Sequence, residues 1–338
     1  MKRKITISII ISILTLLFAV ALGSVYVSPM DILRIIGSKL FHSPLPETVS
    51  DTNISIIWNL RLPRSLVAFV IGGMISVSGV IMQSVLKNPL ASSYTLGVSS
   101  GASLGAGFVI LFGFSLPLMG GFSLPVMGFV FGLGTMLLGI SFAGRLDKGF
   151  ENNTIILTGM VISLFVNAIV TLMSAVKREQ MQRLIYWQMG SFSAQDWKNL
   201  FILLPIAAVG ILLVFHYHRE LDMLTFGEEQ AKTMGVNTKL VKWILLIAAA
   251  ALTGSAISFV GVIGFVDLVA PHVVRKIFGS SHRYVIPMSA LLGGVFMVIC
   301  DLVSRTVITN QEIPVGAVTA LIGAPFFAYI FFSKRERG

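Results

Sequence analysis

A polar stretch, TFGEEQAKTMGV at residues 225–236, separates two long apolar runs of the chain. Thr225 and Glu228 have the spacing of a capping box, in which each side chain satisfies a backbone donor of the first helical turn. Two acidic residues stand at the start, where the helix dipole favours negative charge. Glu228 precedes Lys232 by four residues, the favourable order for a helical ion pair, and Gly235 is placed to end the helix in a left-handed cap. The stretch therefore predicts a short, exposed and well-terminated helix between two membrane spans.

Two interpretations of this helix follow from its position. It can be an ordinary solvated loop, as most polar connections between spans are. It can also be a rigid lever on which a soluble partner protein pushes. The spacing of the residues does not decide between the two interpretations. Other features of the chain are needed for that decision.

The composition predicts a polytopic protein embedded in a lipid bilayer. Apolar residues make up 55% of the chain and charged residues 12%, which is roughly half the charged share of a soluble domain. The net charge of +10 does not indicate a nucleic-acid partner, because basic residues that flank spans orient the chain and contact anionic headgroups. The only cysteine, Cys300, leaves no disulfide or thiolate metal site within one chain.

The apolar runs predict an all-α chain with about ten transmembrane helices in a single domain, residues 1–338. The basic start can be a signal peptide, but the apolar run that follows is of membrane length, which favours a retained first span. The run at 262–276 is short and predicts a broken or half-buried element. The predicted spans are 5–26, 62–86, 93–116, 119–143, 154–175, 199–216, 240–259, 262–276, 284–304 and 313–332.

The distribution of basic residues predicts the orientation. An even number of spans places both termini on one side, and the loops on that side carry sixteen of the 25 lysines and arginines. The positive-inside rule then places both termini and the 217–239 connection in the cytoplasm.

Motifs that would indicate an enzyme are missing from the sequence. It contains no GxxxxGK[ST] phosphate-binding loop, no HExxH and no GxSxG. Glycines such as Gly72 and Gly73 lie inside the spans instead, where small residues let helix backbones approach closely. We therefore expect a transport subunit without catalytic residues of its own.

A series of short motifs, in order along nearly the whole chain, resembles the FecCD-type permeases. These are the membrane subunits of ATP-driven importers for ferric siderophores, haem and vitamin B12. The motifs are RLPR at 61–64, Gln83 with NPLA at 88–91, LGVSSGA at 96–102, YWQMGS at 186–191, the 227–236 stretch, GFVDLVAPHVVR at 264–275, HR at 282–283, DLVSR at 301–305, EIPVG at 312–316 and GAP at 323–325.

This resemblance implies the fold of a type II ABC importer permease, with ten helices per subunit. It implies a second permease copy or a related chain, two separate ATPase subunits and an extracytoplasmic substrate-binding protein. No cofactor is implied in this chain, since ATP and Mg²⁺ would bind the partner ATPase. A ferric siderophore is the first choice of substrate, followed by haem and cobalamin.

The resemblance also assigns a role to the polar stretch. Gly227, Glu228, Glu229, Lys232 and Gly235 match the cytoplasmic coupling segment, which sits in a groove of the ATPase. The three charged residues would offer polar contacts to a soluble surface, and Gly235 would allow the reversal into the next span.

On the opposite side, Arg61, Arg64 and Arg305 match the outer arginines of the family. Guanidinium groups suit carboxylates on a docking protein. Snorkelling of these side chains to the membrane interface is the alternative. The positive-inside rule gives no reason for basic residues on the outer side, which favours docking.

Asn152 and Asn153, just before the fifth span, align with the small polar residues of the family's inner gate. Serine or threonine is usual at these positions, so the bulkier side chains leave the gate geometry open. A plain N-cap of the fifth span is an equal alternative.

Two acidic residues at membrane depth allow a competing function. Asp301 is four residues from Arg305, which predicts a helical ion pair, whereas Asp267 stands where the family commonly has glycine. Intramembrane acids are what a secondary transporter driven by an ion gradient needs. That alternative would leave the coupling stretch unexplained.

Overall fold

The computed structural model describes residues 1–23, 27–42, 49–147, 149–308 and 311–335. In this part of the chain the regular structure is helical throughout. The α-helices are α1 (Lys2–Ala21), α2 (Pro29–Phe41), α3 (Asp51–Ser55), α4 (Leu62–Val85), α5 (Val98–Phe112), α6 (Ser123–Leu146), α7 (Asn152–Val176), α8 (Arg178–Gln188), α9 (Trp197–His216), α10 (His218–Phe226), α11 (Glu228–Thr233), α12 (Thr238–Val260), α13 (Val266–Phe278), α14 (His282–Thr306) and α15 (Val315–Arg335). A π-helical turn, Ile56–Arg61, joins α3 to α4.

Each predicted span overlaps a helix, namely α1, α4 to α7, α9 and α12 to α15, while residues 24–26 of the first predicted span lie outside the described residues. Seven helices of the described chain are long and apolar enough to cross a membrane, and α5 and α15 contribute shorter apolar segments. The short element predicted at 262–276 is α13, with 13 residues. The prediction of an all-α, multi-pass membrane protein is therefore confirmed.

The core of the bundle is built around α4, which is buried along most of its length. Glycine allows α4 and α14 to approach closely, because a Cβ on Gly72 would lie 2.2 Å from the carbonyl oxygen of Gly293. The same device joins α5 to α6, where a Cβ on Gly105 would lie 2.2 Å from the carbonyl oxygen of Met127. Close packing of small residues holds such helices together where both lipid and side chains are apolar.

Polar contacts between helices identify which helix ends share each end of the bundle. At one end the Lys4 ammonium donates to the carbonyl of Ile277 at 2.8 Å, and Ser84 lies 2.7 Å from His282. At the other end the indole of Trp197 donates to the carbonyl of Trp58 at 2.8 Å. The start of α1 therefore lies at the same end as the end of α4 and the start of α14, as the order of the predicted spans requires.

Candidate functional site

The polar stretch contains a helix, but a shorter one than 225–236. Gly227 has φ +141° and separates α10 from α11, which runs only from Glu228 to Thr233. Thr225 lies in the last turn of α10, where its hydroxyl donates to the carbonyl of Asp222 at 2.6 Å. The predicted capping box is therefore wrong, because the backbone turn at Gly227 removes Thr225 from the first turn of α11.

The C-terminal cap at Gly235 has the predicted form. Gly235 has φ +88°, and its N–H donates to the carbonyl of Lys232 at 3.0 Å. The N–H of Val236 donates to the carbonyl of Ala231 at 3.0 Å, which completes a Schellman motif. The left-handed cap predicted for Gly235 is confirmed.

The charged residues of α11 point in different directions. Glu229 and Lys232 are exposed. Glu228 instead forms an ion pair with Lys242 of α12. The predicted pair between Glu228 and Lys232 is wrong, because the Glu228 carboxylate turns towards a lysine of the neighbouring helix. Glu229 and Lys232 are thus the charged groups that α11 presents at its surface.

Lys242 connects α11 to the start of α7. Its ammonium donates to the side-chain oxygen of Asn152 at 2.8 Å and to the carbonyl of Phe150 at 3.2 Å. Asn152 is the first residue of α7, and the N-cap position belongs to Glu151. The alternative that Asn152 or Asn153 caps this helix is therefore wrong. Asn153 is exposed and Asn152 half-buried.

The turn before α7 is held by Asp147. Its carboxylate accepts from the backbone N–H of Glu151 and from that of Gly149, both at 2.7 Å. These donors stabilise the ionised form, chiefly that of Glu151, and hold the pKa of Asp147 below its usual value. The turn that leads into Asn152 is therefore ordered by local hydrogen bonds.

The segment before α11 is fastened separately. Asp222 of α10 accepts from the backbone N–H of His282 at 2.8 Å, and the same carboxylate oxygen lies 2.6 Å from the His282 Nδ1. His282 Nε2 in turn lies 2.7 Å from the hydroxyl of Ser84 on α4. The pair α10–α11 thus has one attachment at α14 and another at α12.

At the opposite end the structure brings Arg64 and Arg305 together around Asp301. Arg64 donates to Asp301 at 2.8 and 2.9 Å and to Glu312 at 2.6 and 3.1 Å. Arg305 lies 3.4 Å from the second oxygen of Asp301, so the predicted helical ion pair is confirmed. Asp301 itself is fully buried.

The outer arginines also hold the end of α1. Arg61 donates to the carbonyls of Val20 and Ala21 at 3.2 and 3.1 Å, and Arg305 donates to that of Leu22 at 3.0 Å. Cations suit this position because the last carbonyls of a helix carry partial negative charge. Arg61 is buried, and the side chains of Arg64 and Arg305 are only 11% and 8% exposed. The structure thus shows these arginines bonded within the chain, and their docking role stays a prediction.

The second acid, Asp267, is buried within the bundle. Its carboxylate accepts from the hydroxyl of Ser92, and its backbone carbonyl accepts from the amide of Gln83 at 2.9 Å. The same amide group of Gln83 accepts from Arg275 of α13. Asp267 thus has a hydroxyl partner, and we assign it no role in substrate binding.

The role of Lys242 in joining these elements was not predicted from the sequence. Lys242 stands in the run KLVKWILLIAAAA at 239–251, where it looks like one more basic residue at the cytoplasmic end of a span. An ionisable residue at the edge of an apolar run is itself a signal, since such groups face the protein interior and find partners there.

Comparison with known proteins places this architecture among ABC importer permeases. A solved structure described as an inward-facing conformation of a metal-chelate type ABC transporter matches with a TM-score of 0.85 and 27% identity, over 98% of this chain and all of that one. The uncharacterized ABC transporter permease protein YvrB of Bacillus subtilis is 38% identical over 96% of this chain and 92% of its own length. The hemin transport system permease protein HmuU of Yersinia pestis is 34% identical over 96% and 95%.

The matches in fold and in sequence therefore define the class as ABC importer permease. The chain belongs to the FecCD transport family, whose model matches residues 10–333.

Proposed function

We propose that this chain is the membrane-spanning permease subunit of an ATP-driven importer. It works with a second permease copy or a related chain, two ATPase subunits and an extracytoplasmic substrate-binding protein. The observation that carries the proposal is the family match over 10–333 combined with a well-terminated, exposed helix at α11. Both termini and α11 are assigned to the cytoplasm by the positive-inside rule.

The proposed substrate is a ferric siderophore, with haem and cobalamin as the other candidates. Three relatives carry names that refer to iron(3+)-hydroxamate, Fe(3+)-citrate and hemin, and a fourth refers to cobalamin. The cargoes named by these four relatives are metal chelates, and the matched solved structure is likewise described as a metal-chelate type transporter. The binding protein selects the ligand in such a system.

In this proposal α11 is the contact to the ATPase. Glu229 and Lys232 meet the ATPase surface, whereas Glu228 fixes the helix to its own subunit through Lys242. Gly227 and Gly235 set the backbone reversals at the two ends of the helix. The inner gate is proposed for Asn152 and Asn153 at the start of α7.

The outer end is the proposed docking surface for the binding protein. The side chain of Glu312 is 41% exposed, whereas Asp301, the other acidic partner of Arg64, is buried. An acidic side chain of the binding protein can therefore exchange with Glu312 at Arg64. Arg61 and Arg305 support this surface by holding the end of α1 in place.

Uptake into vesicles tests the proposed function. The chain is reconstituted with its ATPase and binding protein, and accumulation of the loaded substrate is measured with ATP, with a non-hydrolysable analogue, and with proton or sodium gradients alone. We expect accumulation only with ATP, because the chain has no phosphate-binding loop and depends on its partner for energy. Accumulation driven by an ion gradient without ATP would establish secondary transport instead.

A further inference from the structure

Lys242 is a buried cation whose partners belong to two other elements. Its side chain is only 1% exposed, although a lysine in the first turns of a membrane-spanning helix could reach the aqueous surface. An ammonium group has three N–H donors, and here each has an oxygen: the carboxylate of Glu228, the side-chain oxygen of Asn152 and the carbonyl of Phe150. The charge is therefore fully matched inside the protein.

These partners lie at the two places that the proposed function connects. Glu228 is the first residue of α11, while Phe150 and Asn152 form the entry to α7. The ring of Phe150 stacks on Trp243 of α12, with ring centroids 5.6 Å apart and planes at 11°. The entry to α7 is thus fastened to α12 by a ring contact as well as by Lys242.

We propose that Lys242 is a positioning residue that transmits movement of α11 to the N-terminal end of α7, where the proposed gate lies. This inference rests on the proposed function. Separating Glu228 from Lys242 would leave an unpaired charge in a buried site, which is strongly unfavourable. The start of α11, the entry to α7 and the first turns of α12 therefore move as one body when the ATPase displaces α11.

The first test compares Lys242→Met with Lys239→Met, an exposed lysine one turn earlier on the same helix. In vesicles containing the complete transporter, the number of substrate molecules accumulated per ATP hydrolysed is measured. We expect this ratio to fall roughly tenfold in Lys242→Met, within the usual range of coupling free energies, and to be unchanged in Lys239→Met. A purely structural defect would lower the amount of folded complex without changing the ratio.

A double variant tests whether Glu228 and Lys242 act as a unit. Glu228→Gln alone should also lower the ratio, and Glu228→Gln combined with Lys242→Met should be no worse than Lys242→Met alone. Additive losses would contradict the proposal. If Lys242→Met does not assemble, the same ratio of accumulated substrate to hydrolysed ATP is measured with Glu228→Gln, which keeps the shape of the side chain.

A distance measurement addresses the shared movement directly. Spin labels are attached to cysteines at Glu151 and Thr233, both exposed, while the natural Cys300 is buried. In the complete transporter we expect the distance between the two labels of one subunit to be narrow and unchanged by ATP, and to become broadened and ATP-dependent with Lys242→Met.

Two results would overturn the inference. One is a distance within one subunit that changes with ATP while Lys242 is present, and the other is a normal coupling ratio in Lys242→Met. Failure of the proposed function itself is distinct, because it would show as ATP-independent uptake by the unmodified protein.

Discussion

Gly72→Ala is expected to destabilise the protein by about 3 kcal/mol, at the upper end of what overpacking of a core costs. A Cβ at this position would lie 2.2 Å from the carbonyl oxygen of Gly293 and 2.7 Å from the Cβ of Met297. The first of these atoms belongs to the backbone of α14, so no side chain can rotate away. Either α4 and α14 separate or the bundle fails to assemble. The yield of monodisperse protein and its thermal unfolding in detergent measure the effect.

Gly134→Ala is the matched control, since it adds the same methyl group to a membrane helix. Gly134 lies in α6, where a Cβ would have no neighbouring atom within 4 Å. We expect no loss of stability and a gain of at most about 1 kcal/mol, because alanine favours a helix over glycine. If Gly72→Ala were as stable as Gly134→Ala, the α4–α14 contact would have to be looser than described.

Asp301→Asn is expected to cost about 3–5 kcal/mol, the usual effect of removing one partner from a buried ion pair. The fully buried carboxylate faces Arg64 at 2.8 Å and Arg305 at 3.4 Å. The amide keeps the size of the side chain but leaves two buried guanidinium groups with too little negative charge. Because Arg305 also holds the end of α1, we expect this helix to loosen first, which proteolysis and thermal unfolding would detect.

Glu312→Gln provides the control for this network. Its carboxylate also bonds to Arg64, but it is 41% exposed. Exposed ion pairs contribute roughly 0–1 kcal/mol, so this variant should unfold close to the temperature of the unmodified protein. A loss as large as that of Asp301→Asn would show that Glu312, rather than Asp301, is the main counter-ion.

The spans could be predicted because each is an apolar run of membrane length. The elements that were missed, α2, α3, α8 and α10, are shorter and more polar, so no such run marks them. The π-helical turn at Ile56–Arg61 likewise leaves no hydropathy signal. Hydropathy therefore finds the elements that lipid requires and overlooks those that only tertiary contacts support.

The local backbone of the candidate site was only partly predictable. Gly235 was recognisable as a helix cap because only glycine adopts its positive φ without strain. Gly227 has an equally informative positive φ, but the spacing of Thr225 and Glu228 suggested a continuous helix across it. The capping-box spacing has meaning only if both residues belong to the same helix end, and the sequence alone does not establish that.

Interaction partners that are distant in the sequence could not be predicted. Glu228 has a lysine four residues ahead, yet it binds Lys242, fourteen residues ahead on another helix. Arg61 and Arg305 lie at the end of the bundle opposite the start of α1, as the predicted spans require, but their bonds to the carbonyls at the end of α1 depend on how α1 packs. Only the packing of the helices decides which of several suitable partners a charge meets.

Cross-linking from α11 is the most direct measurement of whether this helix is the contact to an ATPase. The natural Cys300 is buried, so a cysteine placed at exposed Lys232 can carry a photo-activated cross-linker selectively. The same cross-linker at Glu312, at the opposite end of the bundle, is the control. We predict that the label at residue 232 captures the co-purified ATPase and that the label at residue 312 does not. An intact complex in which residue 232 captures no ATPase, or in which both positions capture it equally, would contradict the assignment of α11.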